Sequence, residues 1–406
     1  MSTPLAQSSS FDRTLYRSQY QLGPLLTKAF EYAFYALSLI DHMTDPEPPE
    51  APPDVRSDIP LLIRSELQQA ANQVHEGLKH ALRLPWSLEE FQEAHAECGN
   101  DEQELLRRCP PPPHPPNTPH HQATAHYMPT FFIDKNGRVV FAYLPAILRA
   151  SRWENLFKAA FPIFTPTTDE HRNFLDYSFR SFKSSSFSLP SGGVRLYPAA
   201  TTSFRFPTVH YPEPAVAFKR ADIRPHAFKL LESIEPDTFG ILAAVLAMIN
   251  PDHFHAALEV LEGLHIGTIW SGDKTLREEV MKRWGFPFTC VDFLSNLLYP
   301  CWERSDYRPH DLALYVSLGN TSLPLFRVPG LERQFHFDSG TICVGFPHIL
   351  PITWCSKNDD DHLVVVGSFM DLRFATSRLV RKPTPMGTTE YTAYLDYIFR
   401  NETPLM

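Results

Sequence analysis

His336 and Asp338 stand two residues apart in Gln334–Asp338, QFHFD. Side chains at i and i+2 of a strand share one face, so this imidazole and carboxylate could chelate a transition metal together. A second set of donors, Glu303, Asp306, His310 and Asp311, crowds the polar run ERSDYRPHD. A third, His114, His120, His121 and His126, lies in and just after a proline-rich stretch without periodic spacing. Each set also reads as ordinary solvated loop residues.

A different chemistry is written between His171 and Phe206. Five Arg or Lys stand there against one Asp, interleaved with Phe174, Tyr177, Phe179, Phe182, Phe187, Tyr197, Phe204 and Phe206. Cations with aromatic rings between them suit a phosphate backbone and stacked bases. Arg180, Lys183, Arg195 and Arg205 are the candidate contacts, for duplex DNA in particular. The competing reading is a set of loops whose rings dock on the core.

The elements that would position these groups can be read from periodicity. A buried amphipathic helix is predicted from Pro24, with Leu26, Phe30, Ala33, Leu37 and Ile40 on one face. A second helix runs through LLIRSELQQAANQVHEGLKHALRL, and a third starts at Ser87, whose hydroxyl can form a capping box with Glu90. The charges between Leu84 and Leu105 are all acidic and read as a solvated helix face. Cys109 to His121 is a stiff polyproline-like spacer.

TFFIDKNGRVVFAYLP reads as a hairpin turning at Asp134–Gly137, because Asn-Gly supplies the positive φ of a tight turn. Helices follow at RWENLFKAAF and DEHRNFLDYSFR, then a long irregular stretch through SGGVRLYP, then IRPHAFKLLESI and two helices each opening on Pro-Asp. After DKTLREEVMKRW seven strand-like runs succeed one another at short spacing: FTCVDFL, DLALYVSLG, LPLFRV, RQFHFD, TICVGF, ILPITW and HLVVVGSFM.

The expected fold class is therefore α+β. A jelly-roll core, a double-stranded β-helix, is braced by a helical layer, with an extra helical region at the N-terminus. The expected segments are a disordered tail (1–22), a helical region (23–108), a Pro/His-rich linker (109–128), a hairpin with bracing helices (129–282), the jelly roll (283–380) and a C-terminal tail with a short helix (381–406).

Composition narrows the function classes. At 406 residues with 43% hydrophobic side chains the chain can bury a large core. A net charge of −9 excludes a protein that coats nucleic acid by bulk electrostatics, so any such contact is a local patch. The six cysteines form no C-x-x-C pair and are expected as reduced thiols. No signal peptide and no apolar run of about 18 residues is evident. No membrane partner is expected, and the chain reads as intracellular, nuclear or cytoplasmic.

The order SNLLYP, a polar insert, DLALYVSLG, LPLFRVPGLERQFHFDSGT, an apolar strand and HLVVVGSFM resembles the basidiomycete branch of the TET/JBP-type oxygenases, from about Arg283 to Leu379. Those are Fe(II)- and 2-oxoglutarate-dependent enzymes that oxidise methyl groups on DNA bases. The resemblance implies an H-x-D and a later His on iron, with a cation pairing the distal carboxylate of the cosubstrate. It places Trp302 at the first His, Arg304 at the Asp, Ile352 at the distal His and His362 at the cosubstrate-binding Arg. An indole has no lone pair to give and a guanidinium repels iron. A shifted register would bring His348 to the distal position and leave the H-x-D unrepaired.

The resemblance thus implies a degenerate oxygenase. Neither Fe(II) nor 2-oxoglutarate is expected, and the scaffold would serve as a module binding nucleic acid or protein. The alternatives are an active dioxygenase on methylated DNA bases with a non-standard metal set, for which His336, Asp338 and His348 are the candidates, and an assembly protein whose old pocket is filled by side chains such as Trp302.

Overall fold

The computed structural model describes residues 21–44, 59–98, 101–112, 126–164, 192–199, 214–268, 273–296, 312–319, 325–347, 350, 352–355 and 362–368. Its first half is mostly helical: α1 (Pro24–Thr44), α2 (Leu61–Lys79), α3 (Leu88–Cys98) and α4 (Glu102–Arg108). Apolar residues at helical spacing bury one face of α1 and α2, and Phe30, Ala33, Leu67, Ala71 and Val74 reach the core. The box at the start of α3 is formed: Glu90 N donates to Ser87 Oγ at 3.2 Å and Ser87 N to Glu90 Oε2 at 2.8 Å. The helix α2 stops at Lys79, short of the expected Leu84, because Leu82–Arg83 (β1) leaves the helix to pair in parallel with the hairpin.

That hairpin is β2 (Thr130–Ile133) and β3 (Val139–Leu144), turning through Gly137 at φ 85°. Buried Asp134 accepts from the amides of Asn136 and Arg138 at 2.9 Å and holds the Arg138 guanidinium. Arg138 also grips Glu89, and Lys135 pairs with Glu90. Two of the acidic residues of α3 are therefore spent on the hairpin, and the Arg138 hydrogen bonds hold the Glu89 carboxyl down to about 2.

Next come α5 (Ala150–Phe164), β4 (Gly192–Leu196), the single turn α6 (Val216–Lys219), α7 (Arg224–Ser233), α8 (Pro236–Ile249), α9 (Pro251–Ile266) and α10 (Lys274–Arg283). The remaining strands are β5 (Cys290–Ser295), β6 (Ala313–Gly319), β7 (Leu325–Val328), β8 (Arg333–His336), β9 (Ile342–Gly345), β10 (Thr353–Cys355) and β11 (His362–Ser368). Each of the seven strand-like runs near the end carries one of them. The helix expected at DEHRNFLDYSFR lies outside the described residues.

Eight strands form one sheet in the order β1-β2-β3-β9-β6-β11-β5-β4, antiparallel except for β1 with β2. Three form a second sheet, β10-β7-β8. The architecture is α+β, with a large, mostly antiparallel sheet and helices. The strand β4 falls where an irregular stretch was expected; two glycines weaken its strand propensity, and pairing with β5 overrides it.

One side of the large sheet meets helices. Phe131 packs so closely on Gly77 of α2 that a Cβ there would lie 2.2 Å from the ring. Phe293 meets Phe286, which in turn meets Phe239 of α8. Every described side chain of α8 from Thr238 to Ile249 is buried. Tyr32 and Lys28 of α1 reach Asp237 at its start, both at 2.8 Å. A buried ion pair, Arg152 with Glu66 at 2.7 Å, joins α5 to α2. The N-terminal helices therefore share one apolar core with the strands, and both described ends of the expected linker are fastened to β8. Arg333 donates to Pro112 O at 2.9 Å, and His126 N donates to Gln334 O at 2.8 Å.

Candidate functional site

The other side of the large sheet faces the small one, and registry decides which side chains point there. Tyr143, Cys343 and Tyr315 are successive partners across β3, β9 and β6. Across β5 and β11, Asp292 opposes Val366 and Leu294 opposes Val364, and the same alternation brings His362 to this face. From the small sheet, Phe326 and Phe335 oppose one another and point back.

Rings occupy the space between. Phe335 lies 4.9 Å from Tyr143 and 5.1 Å from Phe141, Phe326 lies 6.0 Å from Tyr315 and 5.8 Å from Phe141, and Phe337 lies 5.0 Å from Phe326, centroid to centroid. Burial pushes the Cys343 thiol well up and raises the Tyr143 phenol above its ordinary value. Neither is a nucleophile at neutral pH.

His362 opens β11 at one end of this space. Its Nε2 lies 3.2 Å from Ser317 Oγ, and that hydroxyl donates to Phe337 O at 2.5 Å. The Phe337 ring stands edge-on to the imidazole at 6.0 Å. The backbone is closed on the other side: His362 N donates to Asn296 Oδ1, and Asn296 N to His362 O, both at 2.8 Å. Asn296 adopts φ 49°, a left-handed conformation that Asn tolerates better than most residues. In the sequence Asn296 belongs to the SNLLYP frame and Ser317 carries no signal; only strand pairing brings the two to His362.

At the far end of β5, Arg195 of β4 and Asp292 are cross-strand partners, with Nε to Oδ1 at 2.7 Å and Nη2 to Oδ2 at 3.2 Å. Asp292 is buried and the Arg195 side chain is 17% exposed. Arg195, expected on a phosphate-facing surface, has its guanidinium fork committed to a carboxylate. Arg180, Lys183 and Arg205 lie outside the described residues.

The H-x-D splits where β8 ends. His336 is the last residue of the strand, buried, its ring stacked under Tyr127 at 3.7 Å and its Nδ1 without a partner. Asp338 lies beyond the strand, exposed, and its carbonyl accepts from Thr341 N at 3.0 Å in the turn to β9. Strand alternation therefore does not extend to this pair. His126 bridges to Phe335 beside them. Ile352 is buried and offers no donor atom. Trp302, Arg304, Glu303, Asp306, His310, Asp311, His348, His114, His120 and His121 lie outside the described residues.

Among the described residues no three His, Cys, Asp or Glu side chains come together as a metal site. None of the described helices is long and apolar enough to cross a membrane.

Two glycines shape the frame around the rings. Gly330, in the Pro329–Leu331 turn between β7 and β8, lies against Phe91 of α3 and Leu350. Gly340, before β9, has φ 85°, and a Cβ there would lie 2.3 Å from Leu148 O. Its amide donates to Ser317 O at 2.8 Å and its carbonyl accepts from Leu148 N at 3.0 Å. The turn thus ties the Ser317 strand to the start of α5.

No family model matches the chain, and no curated protein matches it. Among solved structures it is similar to NgTET1 in complex with 5mC DNA, with a TM-score of 0.42 and 10% identity, over 70% of this chain and 92% of that one.

Proposed function

We propose that the chain keeps the double-stranded β-helix of the TET/JBP-type oxygenases, has lost Fe(II) and 2-oxoglutarate binding, and works as a binding module for nucleic acid or protein. The observation that carries this reading is the setting of His362. It stands where the sequence resemblance puts the cosubstrate-binding arginine, and its ring is held by Ser317 and bordered by Phe337. A planar five-donor fork that could clamp a carboxylate is replaced by an imidazole tied into the protein's own hydrogen bonds.

Ile352, where the sequence resemblance puts the distal iron ligand, is a buried aliphatic. Trp302 and Arg304, by side-chain chemistry alone, offer iron no lone pair. The residues at these positions do not fit an Fe(II) and 2-oxoglutarate centre.

The test is a thermal-shift titration with Mn(II), a non-oxidising stand-in for Fe(II), with and without 2-oxoglutarate. A ligand at about a hundred times its Kd adds roughly 2.7 kcal/mol, which moves Tm by several degrees. The expected result is no shift with either. A joint shift would overturn the proposal in favour of an active dioxygenase, with methylated duplex DNA as the substrate to try.

A further inference from the structure

We draw no further inference here: the strongest candidate, the aromatic patch on the outer face of the small sheet where exposed Tyr127 and Met128 lie beside the buried ring of His336, carries none because nothing in the structure shows what covers it.

Discussion

Ser317 Oγ and His362 Nε2 lie 3.2 Å apart on neighbouring strands, 45 residues apart in sequence, and the pair is closed from the far side by Asn296. Asn296 has two jobs, to accept the His362 amide and to tolerate φ 49°. Glycine at this position tolerates the backbone but loses the acceptor, leaving a buried N–H unpaired at a cost of about 1–3 kcal/mol. Alanine loses both and adds about 1 kcal/mol for the left-handed residue. Urea denaturation should therefore rank wild type above Asn296→Gly, and Asn296→Gly above Asn296→Ala. Equal stability of all three would remove Asn296 from this role.

Placing at position 362 the arginine that the resemblance calls for tests the proposed function directly. His362→Arg places a longer, permanently charged group beside Ser317 and Phe337, where the imidazole now fits. The expected outcome is a lower Tm and no response to 2-oxoglutarate. A Tm that rises on adding 2-oxoglutarate to the variant would overturn the proposed loss of cosubstrate binding.

Arg195 belongs to the fold before it belongs to any surface. Removing it takes the guanidinium away from buried Asp292, and breaking a buried pair from one side costs about 3–5 kcal/mol. Arg195→Ala should unfold at markedly lower urea. On the proposed nucleic-acid reading, reversing Arg180, Lys183 and Arg205 to Glu should abolish retention of duplex DNA together with its salt dependence. Retention that persists in this triple variant would move the search to protein partners.

Much of this architecture was legible because it is local. The capping box of Ser87 and Glu90, the Asn-Gly turn, the Pro-Asp helix starts and the seven closing strands are each set by residues within a few positions of one another. What escaped is non-local. Arg195 meets Asp292 across 97 residues, and the Gly-Gly strand β4 exists only because β5 offers it a ladder. His336 and Asp338 looked like partners because the alternation was carried past His336, where β8 stops. Of the site itself, His362 could be singled out by sequence resemblance. Asn296 entered only as part of the SNLLYP frame, and Ser317 not at all, because a serine in a strand and an asparagine after one say nothing of their contact with position 362 until the register is known.

Gly340 and Gly137 share φ 85° but not surroundings. A Cβ at Gly137 meets nothing within 4 Å, whereas one at Gly340 would lie 2.3 Å from Leu148 O. Gly137→Ala should cost about 1–2 kcal/mol, the ordinary price of a left-handed alanine. Gly340→Ala adds a backbone clash and should cost several times more, with loss of the Ser317–Gly340–Leu148 hydrogen bonds. Thermal melts of the two variants side by side separate the terms. Similar losses in both would show that the turn before β9 can shift to make room.

Glu259 on α9 supplies a pH dependence of defined sign. Burial first, and the neighbouring Glu262 charge second, raise its carboxyl to about 7. Below its unfolded value both states hold the proton and the group has no effect. As pH rises above that value, the unfolded chain releases its proton while the folded one retains it, so stability falls until pH passes the folded value and is level thereafter. The penalty at pH 8 is about 1–3 kcal/mol. His255, one turn earlier, acts in the opposite direction: burial lowers it to about 3, so as pH falls below the ordinary histidine range the unfolded chain takes up a proton that the folded one does not, and stability falls. Glu259→Gln should therefore stabilise the protein at pH 8 and leave it nearly unchanged at pH 4. Urea midpoints at the two pH values measure the difference, and a gain of equal size at both would show that the carboxyl does not titrate with folding.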